Sequence, residues 1–342
     1  MSAPRLVRVA HARVDGAWHA DAVLRLGDDG VALAGADEAE ARDLPRLDLA
    51  LLPPLTDAHV HLALADLGGL EGSRIARVLD LGADPAAVPG LADAARATHP
   101  ALDVRFAGAF LTAPGGYPSD RAWAPPGGVV EVTGGAAAAA AVRAQAAAGA
   151  SLVKLVSNTD DGPALDDEAL AAAVAEAHAL GLRVAVHAQG ADQPERAIAA
   201  GADVLAHTPW THPLADDVVR RAAGRTVWIS TLGMHARDGD DEAFARATDN
   251  LARFAAAGGA VAYGTDLGNG SSRLDLDEAE VAALRQAGVE GAALVDALTA
   301  ARLLPGGPVA SAFPPDVDGD AAALASLHRS RPVRITDLEA PR

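Results

Sequence analysis

The chain has 342 residues, 50% of them apolar and 3% aromatic, so it is long enough for one or two domains with a sizeable core. The absence of cysteine excludes disulfides, thiolate metal ligands and a cysteine nucleophile. A formal net charge of −18 disfavours nucleic acid and anionic membranes as partners, because such a surface repels phosphate groups.

The first fifty residues contain short alternating segments at 5–10, 22–27 and 31–34, which predict small β hairpins. Residues 1–16 lack a basic segment followed by a continuous apolar stretch, and no apolar run reaches about 18 residues. We therefore expect a protein of the cytoplasm.

From about Leu51 the chain repeats one unit: a short apolar strand, a polar loop and an alanine-rich helical stretch. This alternation predicts a parallel sheet with crossover helices. The predicted strands end near Thr56, Leu81, Leu111, Val156, Val186, Leu205, Ser230 and Tyr263. Because a (β/α)8 barrel takes about 250 residues, the fold class predicted for residues 53–304 is α/β, a (β/α)8 TIM barrel.

After Leu304 the chain becomes rich in proline and glycine and ends in a last apolar alternation at residues 332–336. Such a tail can pair with the strands at the start of the chain. We therefore expect residues 1–52 and 305–342 to form one small β-sandwich-like domain from both chain ends.

Residues able to bind metal stand at the predicted strand ends, where barrels carry their working groups. They are His59 and His61 after strand one, Lys154 in strand four, His187 and His207 at the ends of strands five and six, and Asp266 after strand eight. Zinc and similar cations accept this mixture of imidazole and carboxylate ligands.

Each of these residues also has an ordinary structural explanation. Two histidines two positions apart point the same way on a strand and can share a metal, but they are also common on exposed strands. A single His187 or His207 is more often a packed core residue, and Asp266 alone can cap a helix. Their joint occurrence at one face favours a metal site.

Lys154 is the single lysine of the chain and lies in the apolar run 151–156. In the rest of the chain, arginine takes the place of lysine as the basic side chain. A buried ammonium is costly unless it is paired or chemically altered. Lysine can lose its proton and react with carbon dioxide, whereas arginine cannot. The alternative is an unmodified Lys154 paired with Asp266.

The motifs at residues 56–62, 152–155, 184–190, 206–210 and 263–269 resemble the amidohydrolase superfamily, in particular its binuclear imidazolonepropionase-like and prolidase-like members. The resemblance implies two divalent metal ions, with zinc favoured by ligand type. It implies that a carboxylated Lys154 bridges the ions, that His59, His61 and Asp266 hold one, and that His187 and His207 hold the other. One departure is that residues 308–320 show no clear strand of the kind that ends the family's small β domain.

The function that this resemblance implies is metal-dependent hydrolysis, in which a metal-bridging hydroxide cleaves an amide-like bond and Asp266 transfers the proton. The expected substrate is a small molecule: a dipeptide, an acyl amino acid or a cyclic amide. A lactonase or phosphotriesterase on the same binuclear site, and a mononuclear deaminase, are alternatives, although Lys154 counts against the deaminase. A non-catalytic binding protein is disfavoured because every ligand position is present.

Loop residues after the strands are the candidates for substrate binding: Tyr117, Asn158, Trp210, His212, His235 and Arg237. Tyr117 or His235 could donate a hydrogen bond to a developing oxyanion, and Arg237 could pair with a substrate carboxylate. Each could equally be a loop residue that makes only local contacts. The oligomeric state is left open, a homo-oligomer included.

Overall fold

The computed structural model describes residues 5–27, 29–36, 44–269 and 274–338. Parts of the predicted small domain, at residues 1–4, 28, 37–43 and 339–342, lie outside the described residues. Within the described ranges the chain is a mixed α/β fold. None of the helices there is long and apolar enough to cross a membrane.

The strands, numbered in chain order, are β1 (Arg5–Val14), β2 (Ala17–Gly27), β3 (Gly30–Leu33), β4 (Arg46–Leu52), β5 (Thr56–Val60), β6 (Arg77–Asp80), β7 (Asp103–Phe106), β8 (Phe110–Thr112), β9 (Val129–Glu131), β10 (Leu152–Asn158), β11 (Arg183–Gln189), β12 (Val204–Leu205), β13 (Val227–Ile229), β14 (Ala260–Ala262), β15 (Val309–Phe313) and β16 (Arg331–Arg334).

The α-helices described are α1 (Val88–Thr98), α2 (Gly134–Ala147), α3 (Asp167–Ala179), α4 (Gln193–Ala200), α5 (Asp216–Ala223), α6 (Leu232–Asp238), α7 (Asp241–Ala256), α8 (Glu278–Gln286), α9 (Gly291–Thr299) and α10 (Asp320–Ala325). Two short 3-10 turns, Leu62–Leu64 and Leu67–Leu70, occupy the first crossover, between β5 and β6.

The two ends of the chain meet in a six-stranded sheet of order β16-β15-β4-β1-β2-β3. Strand β15 pairs antiparallel with β4 and brings the tail against the N-terminal strands. The expectation that residues 308–320 hold no clear strand is therefore wrong. The strand is buried along its whole length and so lacks an alternating pattern, and its Ser311 hydroxyl accepts a hydrogen bond from the Leu55 amide at 2.8 Å.

The parallel strands form a seven-stranded sheet, β14-β13-β12-β11-β10-β8-β9, and a three-stranded sheet, β5-β6-β7. All eight predicted strands have a counterpart, but β7 and β9 were not predicted. Between β7 and β8 the chain turns at Gly108, whose φ is +78° and where a Cβ would lie 2.0 Å from the Gln145 side chain. The ladder of the predicted third strand is thus divided between two sheets.

One apolar cluster joins the strands of both parallel sheets, with Leu79, Leu152, Ala185 and Ile229 among its buried members. A larger cluster packs the helices against the outer faces of the strands. Apolar packing on both faces explains why the strands read as continuous apolar runs. It also leaves the carboxyl ends of the strands as the place where polar groups gather.

Candidate metal centre

Five of the six predicted ligand residues lie toward the carboxyl ends of the parallel strands or in the segments that follow them, and the sixth, Lys154, lies within β10. They are His59 in β5, His61 just after it, Lys154 in β10, His187 in β11, His207 after β12 and Asp266 after β14. All are buried, with Lys154 only 1% exposed and His187, the least buried, 8% exposed. Polar side chains withdrawn from water to this degree need partners.

Three of these residues come together closely. One potential ligand atom each of His59, His207 and Asp266 lies within 4.8 Å of the other two. The Asp266 carboxylate is 3.2 Å from His59 Nε2 and 3.3 Å from His61 Nε2. The cluster contains His59 and Asp266, which are predicted to hold one ion, and His207, which is predicted to hold the other. These residues of the two predicted sites are therefore neighbours.

The imidazole of His59 is held in one orientation by the backbone. Its Nδ1 lies 2.7 Å from the Ala206 carbonyl oxygen, which can only accept a hydrogen bond, so Nδ1 carries the proton. The opposite nitrogen, Nε2, is buried and has no hydrogen-bond partner. An imidazole fixed in this way presents a free lone pair, as metal-ligating histidines do.

The other histidines have similar supports. His207 Nδ1 lies 3.0 Å from the Thr231 hydroxyl, and His187 Nε2 lies 3.2 Å from Gln189 Oε1. His61 Nδ1 is buried without a hydrogen-bond partner. The rings of His187 and His207 are 4.9 Å apart, and those of His59 and His207 are 4.5 Å apart.

Burial favours the neutral form of three of these imidazoles, those of His59, His187 and His207. It lowers the pKa of His187 to about 4, and Lys154 adds to this effect. Burial likewise lowers the pKa of His59 and of His207 well below the ordinary value. A neutral imidazole is the form that binds a cation, so the site is ready for one at neutral pH.

Asp266 and Lys154 are the charged groups among these imidazoles. Burial opposes ionisation of Asp266, but the neighbouring His59 and His61 outweigh it and hold the pKa of the carboxyl well below its usual range. Burial lowers the pKa of Lys154 to about 7, so the amine readily loses its proton. Among the described residues, the Asp266 carboxylate lies 3.2 Å from His59 Nε2 and 3.3 Å from His61 Nε2, and it makes no salt bridge with Lys154.

Asp57 is a buried carboxylate that sequence analysis did not single out. Its Oδ1 accepts hydrogen bonds from the amides of His59 and Thr265, each at 3.1 Å, and its Oδ2 accepts one from the Thr265 hydroxyl at 2.6 Å. It therefore joins the end of β5 to the segment that carries Asp266. Its place two residues before His59 was the available indication.

The residues present fit divalent cations. Four buried imidazoles, two of them carrying a buried nitrogen without a hydrogen-bond partner, are found together with the ionised carboxylate of Asp266. This set of nitrogen and oxygen donors is typical of zinc and related metals. A purely structural polar cluster would leave fewer buried nitrogens unpaired.

A cavity of about 520 Å³ opens over the cluster. Of the predicted substrate-binding residues, Tyr117, Trp210 and His235 line it. The Tyr117 ring stacks on His187 with 5.4 Å between centroids, and Trp210 lies 5.1 Å from the His235 ring. These three residues are thus placed to contact a bound substrate.

The other three predicted residues do not line this cavity. Arg237 donates to the Thr265 carbonyl oxygen at 2.9 Å and to Asp277 at 3.3 Å. His212 Nε2 lies 2.9 Å from Glu195, and the Asn158 amide donates to Gln189 at 3.0 Å. The Arg237 guanidinium is therefore held by Thr265 and Asp277, outside the lining of the cavity.

The cavity also has lining residues that sequence analysis missed, among them Phe110, Trp123, Met234 and Asp238. Phe110 belongs to β8. Trp123 lies in the long loop after β8, and its rarity as one of four tryptophans was the available indication. Met234 and Asp238 belong to α6, a helix that the sequence pattern did not mark.

Comparisons with solved structures support the same fold. The chain is similar to the crystal structure of a Xaa-Pro dipeptidase with bound methionine in the active site, at 19% identity and a TM-score of 0.68 over 94% of this chain and 96% of that chain. It is similar to A. niger ochratoxinase at 18% identity and a TM-score of 0.66, covering 89% and 84%. Molinate hydrolase matches at 14% identity and a TM-score of 0.66, covering 100% and 99%.

No protein-family model and no curated protein sequence matches the chain. The matched structures include a dipeptidase, an ochratoxinase, an amidohydrolase and molinate hydrolase, and their likeness supports the fold that the motif resemblance implies. At these identities the likeness concerns the fold. The case for an activity therefore depends on the site itself.

Proposed function

We propose that the chain is a divalent-metal-dependent hydrolase that cleaves an amide-like carbon–nitrogen bond in a small molecule. The observation that carries the proposal is the buried cluster of His59, His207 and Asp266, with the unpartnered His59 Nε2 among its atoms. The matched structures are named as a dipeptidase, an ochratoxinase and molinate hydrolase, and these activities support a hydrolase of this class.

The residues that would hold two ions, zinc by ligand type, are His59, His61, Lys154, His187, His207 and Asp266. Such ions, when bound, lower the pKa of water toward neutrality and polarise the scissile carbonyl. The low pKa of His59, His187 and His207 keeps these three imidazoles available as donors at neutral pH.

Lys154 has the environment that carboxylation requires. Its ammonium is 1% exposed, and burial lowers the pKa to about 7, so a substantial share of the amine is neutral and nucleophilic at that pH. Reaction with carbon dioxide turns a costly buried cation into an anion beside the imidazoles. We propose that the carboxylated side chain is the bridging ligand.

The protein groups around the cluster can move and direct protons. Asp266 is ionised at neutral pH and can accept a proton from attacking water and pass it to the leaving nitrogen. Burial raises the pKa of Tyr117 to about 12, so its phenol stays protonated and able to donate. Tyr117 and His235 are the candidates for stabilising the oxyanion.

We also propose that the two parallel sheets act as one (β/α)8 barrel, with residues 1–52 and 305–342 as the flanking small domain. Main-chain hydrogen bonds cross both gaps between the sheets. The Ser151 amide donates to the Phe106 carbonyl at 2.8 Å, and the Ala58 amide donates to the Tyr263 carbonyl at 2.9 Å. Closure of this kind would bring the strand ends that carry the ligands into one ring.

The test is amine release from simple amides, acyl amino acids and dipeptides before and after removal of metal with a chelator. We expect activity to be lost on chelation and restored by Zn2+, and Asp266→Asn to lower kcat by about 100-fold or more. The matched control is Asp217→Asn, an exposed carboxylate paired with Arg221, which should leave kcat unchanged. Activity that resists chelation, or cleavage of lactones without cleavage of any amide, would overturn the proposal.

A further inference from the structure

Aromatic side chains are concentrated at the cavity over the metal cluster. The whole chain has four tryptophans, two tyrosines and five phenylalanines. Two of those tryptophans, one tyrosine and one phenylalanine line this single cavity: Trp123, Trp210, Tyr117 and Phe110. A core built almost without aromatic residues has thus placed several of its few rings at the site.

These rings reach the imidazoles directly. Phe110 lies 5.4 Å from the His61 ring and 6.2 Å from Trp123, and Trp123 lies 5.9 Å from Tyr117. Trp210 lies 5.9 Å from the His187 ring. A substrate carbonyl held at the imidazoles would therefore lie near these aromatic side chains. Flat apolar groups of the substrate would pack well against the aromatic faces.

Trp123 is unusually exposed for its type. It is 40% exposed, and only two other large apolar side chains in the described ranges are exposed, Leu33 and Leu180. An exposed tryptophan at a cavity mouth is a place where a ligand can bury apolar area that the fold leaves open. The exposure of Trp123 adds to the aromatic composition of the cavity wall as an argument for a bound ligand.

The charged groups at the rim are acidic. Asp238 and Asp240 line the cavity, and no arginine of the described chain does. Arg121 lies over the Tyr117 ring, 5.4 Å from its centroid, and pairs with Asp120 and Asp161. Such a rim repels a carboxylate and tolerates a neutral or cationic group.

We infer that the preferred substrates are amides with an aromatic acyl group and a neutral or cationic amine portion, rather than dipeptides or acyl amino acids with a free carboxylate. This inference rests on the proposed amide hydrolysis and narrows its substrate class. The aromatic wall formed by Phe110, Tyr117, Trp123 and Trp210 receives the ring, and the acidic rim selects against the anion.

The test compares four amides: the benzoyl amides of butylamine, 1,3-diaminopropane and β-alanine, and the acetyl amide of butylamine. We expect kcat/KM for benzoylbutylamine to exceed that for acetylbutylamine by about tenfold, as favourable ring contacts allow. We expect the β-alanine amide to be the slowest benzoyl amide, by about tenfold, because the rim opposes its charge.

Two variants assign these preferences to residues. Trp123→Ala should lower the benzoyl-to-acetyl ratio of kcat/KM about threefold, as loss of one ring contact predicts, while Leu180→Ala should not change it. Asp238→Asn should raise the relative rate of the β-alanine amide about threefold, and Asp93→Asn, an exposed acid outside the cavity, should not. Because each ratio is measured within one preparation, partial misfolding does not alter it.

A β-alanine amide hydrolysed faster than the neutral benzoyl amide would overturn the inference and leave the proposed function intact. Equal rates for benzoyl and acetyl amides would also overturn it. If metal-loaded protein cleaved dipeptides but none of the four amides, the inference would fail alone. If it cleaved neither these amides nor any dipeptide, the proposed function itself would fail, and the inference with it.

Discussion

The free nitrogens of the imidazoles depend on what holds the opposite side of each ring. For His207 that partner is the Thr231 hydroxyl, 3.0 Å from Nδ1. Thr231 is 1% exposed and sits at a φ of +43°, so the loop after β13 places this hydroxyl by an uncommon backbone conformation. The hydroxyl orients the ring and has no other evident task.

We predict that Thr231→Val weakens metal binding about tenfold, because the isosteric side chain removes the hydrogen bond that orients His207. Zinc affinity measured by competition with a chromogenic chelator checks this. Thr208→Val is the matched control: its hydroxyl is also buried, but it bonds to the Ile229 carbonyl. Equal weakening in both variants would show that the orienting bond is unimportant.

At the residue scale the ligand candidates could be proposed from the sequence, whereas the groups that hold them could not. His59, His187 and Asp266 were found because polar groups at the ends of apolar strands are conspicuous. Asp57 and Thr231 act through hydrogen bonds between different strands, and the partners of such bonds are set by the tertiary fold. Arg237 was misplaced for the same reason, since its partner Asp277 lies far along the chain.

At the scale of elements, one buried carboxylate holds a helix that faces the cavity. Glu280, in α8, is fully buried, and its side chain accepts hydrogen bonds from the amides of Leu232 and Gly233 at the start of α6. Helix α6 carries Met234 and His235 to the cavity wall. Burial raises the pKa of Glu280 to about 7 despite these donors.

This raised pKa predicts a pH dependence of stability. The folded state binds the proton of Glu280 more tightly than the unfolded state, whose pKa is near 4.5, so its contribution is complete below that value and is lost as pH rises through about 7. From about pH 5 to about pH 8 the free energy of unfolding should fall by roughly 2 to 3 kcal/mol more in the wild type than in Glu280→Gln. Parallel urea titrations measure it, and identical falls would contradict the assignment.

The elements themselves were predicted unevenly. One of the alanine-rich helical stretches of the repeated unit is present as α2, since alanine favours helix at almost every position. Strands β7 and β9 were missed because they are three or four residues long and β9 has no fully buried residue. The first crossover contains short 3-10 turns in place of a helix.

At the scale of the whole molecule, one arginine ties the parallel strands to the segment that leads into the tail. Arg77, in β6, is 1% exposed and donates to Asp103 at 2.8 Å and to the Leu304 carbonyl at 2.6 Å. It also donates to the Gly306 carbonyl. These hydrogen bonds of Arg77 lie at the junction between the parallel sheets and β15. In the sequence, only prolines and glycines indicate this junction.

We predict that Arg77→Met lowers the free energy of unfolding by about 3 kcal/mol, because it leaves the Asp103 carboxylate and two carbonyl groups short of donors. Arg221→Met, which breaks an exposed ion pair with Asp217, is the control and should leave stability unchanged. Chemical denaturation followed by circular dichroism measures both. A loss no larger than that of the control would remove Arg77 from this role.

The central claim is that the strand ends hold divalent metal through their imidazoles, Asp266 and a carboxylated Lys154. Its most direct test is the metal content per chain of protein purified with bicarbonate present, measured beside the Lys154→Ala variant. We predict about two ions per wild-type chain, as expected of a two-metal site, and a sharp fall in the variant. A single ion per chain that the variant leaves unchanged would contradict the bridged site, and the absence of bound metal would contradict the proposed function as a whole.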